Sequence, residues 1–226
     1  MAKKLINKAV VFNVVGTLII IIGILMLLTI PFSLFYKDGM LEALVQSSII
    51  TLAIGVIVKY FTRARKDDEV RRREGYLIVS FGWIAMILFS TLPYFLTNSI
   101  QGISNTFFET ISGLTTTGST ILNNIEQMPE SILFWRSMTQ WIGGMGIIVL
   151  TIAILPLLGV GGMELFTSET PGPTKDKIHP RIKETAKRLW LIYICLTLLE
   201  TTLLWFADMP LFDAINHALT NISTGG

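Results

Sequence analysis

Two short segments carry the residue types that could strip and hold a small cation. One is Thr115-Thr116-Thr117-Gly118-Ser119-Thr120; the other is Ile222-Ser223-Thr224-Gly225-Gly226. A monovalent cation leaving water needs several oxygen ligands at close range. Backbone carbonyls and threonine hydroxyls supply them without a full charge that would trap the ion. Glycine adopts the unusual backbone angles that turn carbonyls toward an axis. With Gly118 set against Gly225 the segments align without a gap. Thr117 then matches Thr224, Thr116 matches Ser223, and apolar Phe108 and Ile111 match Ile215 and Ala218. The candidate ligands are Thr116, Thr117, Gly118 and Ser119 in the first loop and Ile222, Ser223, Thr224 and Gly225 in the second. The plainer alternative is a pair of ordinary Thr/Gly turns between helices. Recurrence at a spacing of 107 residues favours a pore built by pseudosymmetry.

Each loop follows a short apolar piece, Thr106–Leu114 and Leu211–Asn221. Both are too short to cross a bilayer, and pieces of ~10–14 residues are commonly re-entrant or interfacial. Five longer runs predict spanning helices: Val10–Phe35, Leu41–Phe61, Tyr76–Leu96, Ile132–Leu158 and Leu189–Ala207. Each approaches the ~20 residues that cross a ~30 Å hydrocarbon core. Inside lipid the backbone must satisfy its own hydrogen bonds, which makes these runs helices. Of 18 basic residues, 16 lie at the N-terminus, after the second run or before the fifth; only Lys37 and Arg136 fall on the other side. The positive-inside rule then places the N-terminus and both basic loops in the cytoplasm and the C-terminal end outside. The leading MAKKLINK has the charge of a signal peptide, but the apolar run behind it is too long and lacks a cleavage site. It reads as a retained first span. Domain limits follow: 1–75 for two leading helices and a basic loop, 76–167 for a first helix–loop–helix unit, and 168–226 for a Pro-containing linker and a second, incomplete unit.

Composition agrees. Hydrophobic residues are 51% of 226 and charged residues 15%, where a soluble domain carries about a quarter charged. The single Cys195 excludes an internal disulfide and a multi-cysteine metal site. No nucleotide loop, metal-ligand cluster or catalytic triad is visible, which argues against an enzyme. No nucleic-acid partner is implied, and no cofactor beyond a transported ion.

Other residues admit two readings. Glu109, in the first short helix, could face a cation at the outer mouth or pair with Arg136 and brace the helix; the brace is preferred. Glu200, in the fifth run, is a packed, satisfied group or part of an ion path, with packing preferred. Asn216 and His217 fit holding the second short helix better than coordinating anything. Gly143, Gly144 and Gly146 favour close helix packing. Gly159, Gly161 and Gly162 with Pro156 end a span better than they form a phosphate loop.

Phe107-Phe108-Glu109-Thr110-Ile111-Ser112-Gly113-Leu114-Thr115-Thr116-Thr117-Gly118, then Trp135-Arg136-Ser137-Met138-Thr139-Gln140-Trp141-Ile142-Gly143-Gly144-Met145-Gly146, resemble the Trk/Ktr potassium-transporter superfamily, TrkH branch. Asn216 to Gly226 resembles that family's second filter loop. The resemblance implies an all-α membrane protein. Two leading transmembrane helices precede helix–pore-helix–helix repeats, one complete and one truncated, of a pseudo-fourfold pore. It implies Gly118 and Gly225 as filter glycines and K⁺ uptake across the bacterial cytoplasmic (inner) membrane. A homodimer set in membrane lipid and a cytoplasmic nucleotide-binding regulatory subunit are implied as well. Na⁺ coupling or Na⁺ conduction is an alternative, and so is a non-conducting assembly subunit. The later repeats and their gating loop lie beyond Gly226, so the chain reads as a partial product.

Overall fold

A computed structural model describes residues 6–62, 72–158 and 178–225. Among these the regular elements are all helical. They are α1 Lys8–Leu27, α2 Ile30–Tyr36, α3 Leu41–Phe61, α4 Arg72–Ser90, α5 Leu92–Thr97, α6 Ile103–Leu114, a 3₁₀ turn Ile125–Gln127, α7 Glu130–Leu158, α8 Ile178–Phe206 and α9 Leu211–Ile222. Among the described residues, four stretches are long and apolar enough to cross a membrane: Lys8–Tyr36, Leu41–Phe61, Arg73–Thr97 and Glu184–Phe206. α7 has 29 residues and matches the expected fourth run. The basic loop 63–71, the linker 168–177 and Gly159, Gly161 and Gly162 lie outside the described residues.

The first and third runs, each expected as one helix, are both broken. The cause is the same local sequence, Thr29-Ile30-Pro31 and Thr91-Leu92-Pro93. Proline has no N–H to continue the ladder and its ring crowds the preceding turn. In each case the threonine hydroxyl donates 2.6 Å to a carbonyl three residues back, Met26 for Thr29 and Leu88 for Thr91. The short helices that follow, α2 and α5, both end at a left-handed residue, Lys37 (φ 54°) and Asn98 (φ 52°). Two spans are thus interrupted by the same local sequence before handing the chain to the next element.

α1 packs along α3 and α4. Small residues let the first pair approach: a Cβ on Gly55 would fall 2.9 Å from the Ile20 backbone nitrogen, and one on Gly23 would fall within 2.8 Å of the Leu52 side chain. The central core joins α1, α3, α5, α7 and α9 through Ile22, Met26, Leu44, Tyr94, Ile132, Trp135, Met138 and Leu219. Trp135 is fully buried and its indole N–H donates 3.1 Å to the Ser90 carbonyl at the α4–α5 break. Outward faces of α3 and α8 are apolar and exposed, with Phe61, Leu191, Leu198, Leu203 and Phe206 among them. That inversion of the soluble pattern fits lipid as solvent.

Candidate functional site

α6 and α9, the helices that lead into the two loops, have 12 residues each. At ~1.5 Å per residue each is about 18 Å long, well short of a crossing. Both end in the same cap. After α6, the Thr116 N–H donates to the Gly113 carbonyl and the Thr117 N–H to the Ser112 carbonyl, both at 2.9 Å. After α9, the Thr224 N–H donates to Asn221 at 2.8 Å and the Gly225 N–H to Thr220 at 2.9 Å. This paired pattern is a Schellman cap, which demands a left-handed residue. Thr116 (φ 55°) and Thr224 (φ 58°) take that position although β-branched residues resist it.

The caps correct the alignment of the two units. Helix limits and hydrogen bonds repeat after 108 residues, one more than the ungapped sequence match. Thr116 therefore corresponds to Thr224 and Thr117 to Gly225. By this register Gly118 corresponds to Gly226, which lies outside the described residues. Two adjacent glycines in the second segment left the sequence match ambiguous. The position of the left-handed turn, fixed by the backbone ladder, removes the ambiguity.

The loops meet. Gly118 (φ 74°) faces the Gly225 carbonyl so closely that a Cβ on Gly118 would overlap that oxygen. Thr116 and Gly118 are half-buried, Thr117, Ser119 and Thr224 are exposed, and Ile222 is half-buried. Ser223 is buried, and its hydroxyl donates 2.8 Å to the Thr220 carbonyl. The Thr115 and Thr117 hydroxyls pair at 2.8 Å, and the Ser112 hydroxyl donates to the Ser119 carbonyl. Among the described residues no hydrogen bond uses the carbonyls of Thr116, Thr117 or Gly118. These are the oxygens free to serve an ion in the first loop.

Glu109 takes the bracing role. It is 2% exposed and accepts from Arg136 Nε at 2.7 Å, from the Thr120 hydroxyl at 3.0 Å and from the Ile121 N–H at 3.1 Å. One carboxylate thus ties α6 to the far limb of its own loop and to α7. Glu200, half-buried on α8, accepts from Asn221 Nδ2 at 2.8 Å and so holds the end of α9. Asn216 Nδ2 bonds back to the Phe212 carbonyl, and His217 is exposed.

α7 is the element that carries both loops. A Cβ on Gly143 would overlap the Leu114 carbonyl at the end of α6. One on Gly144 would fall 3.0 Å from Ser223 Cβ and 2.7 Å from the Tyr193 hydroxyl. Tyr193 in turn donates 3.1 Å to the Trp141 carbonyl, and Trp141 Nε1 donates 3.1 Å to the Thr197 hydroxyl, locking α7 to α8. Gly146 has open space around it and takes no part. Sequence reasoning missed two contributors. Gln140 lies buried against Gly225. Asp38, in the α2–α3 turn, accepts from the hydroxyl and N–H of Ser131 and anchors the start of α7.

Apolar helices of spanning length, with two capped helix–loop units converging between them, define an α-helical membrane protein of the pore-loop type. The sequence pattern of the TrkH family, described as "Cation transport protein", matches residues 40–226, and the chain belongs to that family. The family is one of transporters, not enzymes. The chain is 48% identical over 216 residues to the Trk system potassium uptake protein TrkH of Salmonella typhimurium, covering 95% of this chain and 44% of that protein. It is 36% identical over 219 residues to the Trk system potassium uptake protein TrkG of Escherichia coli, covering 96% and 45%. The crystal structure of the potassium transporter TrkH from Vibrio parahaemolyticus superposes with a TM-score of 0.81 at 36% identity, covering 95% of this chain and 42% of that one. The chain spans less than half the length of the relatives it matches.

Proposed function

We propose that this chain supplies two of the loops of a K⁺-uptake pore in the bacterial cytoplasmic membrane, crossing it several times. The observation that carries this is the convergence of the two capped loops, with Gly118 against the Gly225 carbonyl. The relatives named above as potassium uptake proteins support the choice of ion. In this reading K⁺ exchanges its water for the backbone carbonyls of Thr116, Thr117 and Gly118 and, at the matching positions of the second loop, for those of Thr224 and Gly225, with the exposed Thr117 hydroxyl beside them. Ser119 and Ser223 contribute less directly, because the Ser119 carbonyl already accepts from Ser112 and the Ser223 hydroxyl is spent on Thr220. α6 and α9 aim their C-terminal ends at the site, and a helix C-terminus carries about −0.5 charge. A cation is favoured there without a carboxylate in contact with it.

The reading includes a homodimer and a cytoplasmic nucleotide-binding regulatory subunit of the Trk/Ktr type. The test is uptake by the complete transporter in cells lacking other potassium-uptake systems. Growth at low potassium and rubidium uptake that competing sodium does not suppress are expected. Sodium uptake in place of rubidium, or no uptake in correctly inserted protein, overturns it.

A further inference from the structure

Gln140 sits on the face of α7 that serves both loops. Arg136 is one turn before it and Gly143 and Gly144 one turn after, so the four side-chain positions share a face. Its side chain is 1% exposed. Its Cγ lies 4.0 Å from where a Cβ on Gly113 would stand, at the end of α6. Its amide reaches the second loop: a Cβ on Gly225 would fall 2.7 Å from Oε1 and 3.0 Å from Cδ. Oε1 has no hydrogen-bond partner among the described residues. A buried acceptor without a partner is costly, and an apolar side chain would fill the same space without that cost. An amide kept here, between the end of one pore helix and the backbone of the other loop, calls for a role in holding that loop.

We propose that Gln140 is a positioning residue for ion discrimination, its buried amide fixing the distance of the second loop from the first. This rests on the reading of the two loops as the ion path. Gly225 has no side chain because the amide occupies that space. Gly118, by contrast, is excluded from carrying one by backbone, the Gly225 carbonyl. Trimming Gln140 should therefore relieve a methyl at Gly225 and do nothing for a methyl at Gly118.

The experiment measures rubidium uptake and its inhibition by sodium in the complete transporter, with membrane abundance recorded for each variant. Gln140→Ala is expected to lower the preference for rubidium over sodium by about tenfold, because the amide no longer fills the space that sets the second loop's distance. Gly225→Ala is expected to lower it further. Gln140→Ala with Gly225→Ala should recover preference relative to Gly225→Ala alone, while Gln140→Ala with Gly118→Ala should not recover relative to Gly118→Ala. A residue that merely stabilised the fold would change abundance and leave the ratio alone. Should Gln140→Ala fail to insert, Gln140→Ser, which likewise clears the space beside Gly225, is read by the same ratio. An unchanged ratio in either variant, or no recovery in the Gln140/Gly225 double variant, overturns the proposal. A parent that takes up no rubidium overturns the pore reading itself.

Discussion

The Gly225 carbonyl occupies the space into which any side chain on Gly118 would project. Gly118 also has φ 74°, which side-chain-bearing residues adopt only at a cost. Both constraints act on the same atom, so the position where the two loops touch tolerates only glycine.

Gly118→Ser is therefore expected to weaken rubidium preference over sodium, with the helices retained. Left-handed strain of ~1–3 kcal/mol corresponds to a factor of roughly 5 to 150 in an equilibrium. Gly113→Ala is the comparison. Its methyl would meet the Thr139 hydroxyl and not a loop, so abundance and melting temperature should fall more than selectivity. Retained preference in Gly118→Ser together with altered preference in Gly113→Ala would show that the filter is placed wrongly.

How much of this was legible beforehand depended on how local each signal is. Spans announce themselves as apolar runs, and α3 was expected at its observed limits, Leu41–Phe61. The short helices were visible as apolar pieces with too few residues to cross. The pairing of Glu109 with Arg136 could be anticipated because an unpaired carboxylate is too costly in lipid. The breaks at Thr29 and Thr91 carried a signal, Thr-X-Pro, that hydropathy averaging hides. The register of the second loop failed by one residue because Gly225 and Gly226 are the same letter, and only the backbone cap separates them. Gln140 and Asp38 were missed for another reason. Asp38 meets Ser131 across 93 residues, and no spacing rule reaches that far.

Removing one half of the Glu109–Arg136 pair should be worse than removing both. Arg136→Met leaves a carboxylate that is 1% exposed with its hydroxyl and N–H donors but no counter-charge. Breaking such a buried pair typically costs ~3–5 kcal/mol. Glu109→Gln with Arg136→Met should recover a large part of that loss, since neither charge then remains buried. Thermal unfolding of the detergent-solubilised protein checks this. A double variant no more stable than Arg136→Met alone would mean the pair is not the brace.

The charge split makes a topology prediction. With Cys195 first changed to serine, a cysteine at Asn123, exposed just past the first loop, should react with an impermeant maleimide added to intact cells. One at Lys187, exposed near the basic start of α8, should react only after the membrane is opened. The reverse pattern would invert the assignment of basic loops to the cytoplasm.

Asp38 gives the acid dependence. Burial alone would push its carboxyl upward, but hydrogen bonds from the Ser131 and Ser33 hydroxyls and from the N–H groups of Met40 and Ser131 outweigh it and hold the pKa below the usual carboxylate range. The charged form also favours the N-terminal end of α7 that it caps. A carboxyl lowered by folding contributes stability that is fully present above its unfolded value, about 4, and that is lost as pH falls through the folded value below it. Between pH 7 and pH 5 this group should therefore leave the melting temperature unchanged. Below about pH 4 the parent should lose stability as Asp38 takes up a proton and its four donors lose their charged acceptor. Asp38→Asn should melt lower than the parent at pH 7, because its single amide oxygen accepts more weakly and its NH2 group turns a donor toward groups that themselves donate. Its acid limb should also be shallower, because this contribution is already gone. Melting curves of the two proteins from pH 7 to pH 3 that stay parallel throughout would show that Asp38 does not hold α7 through its charge.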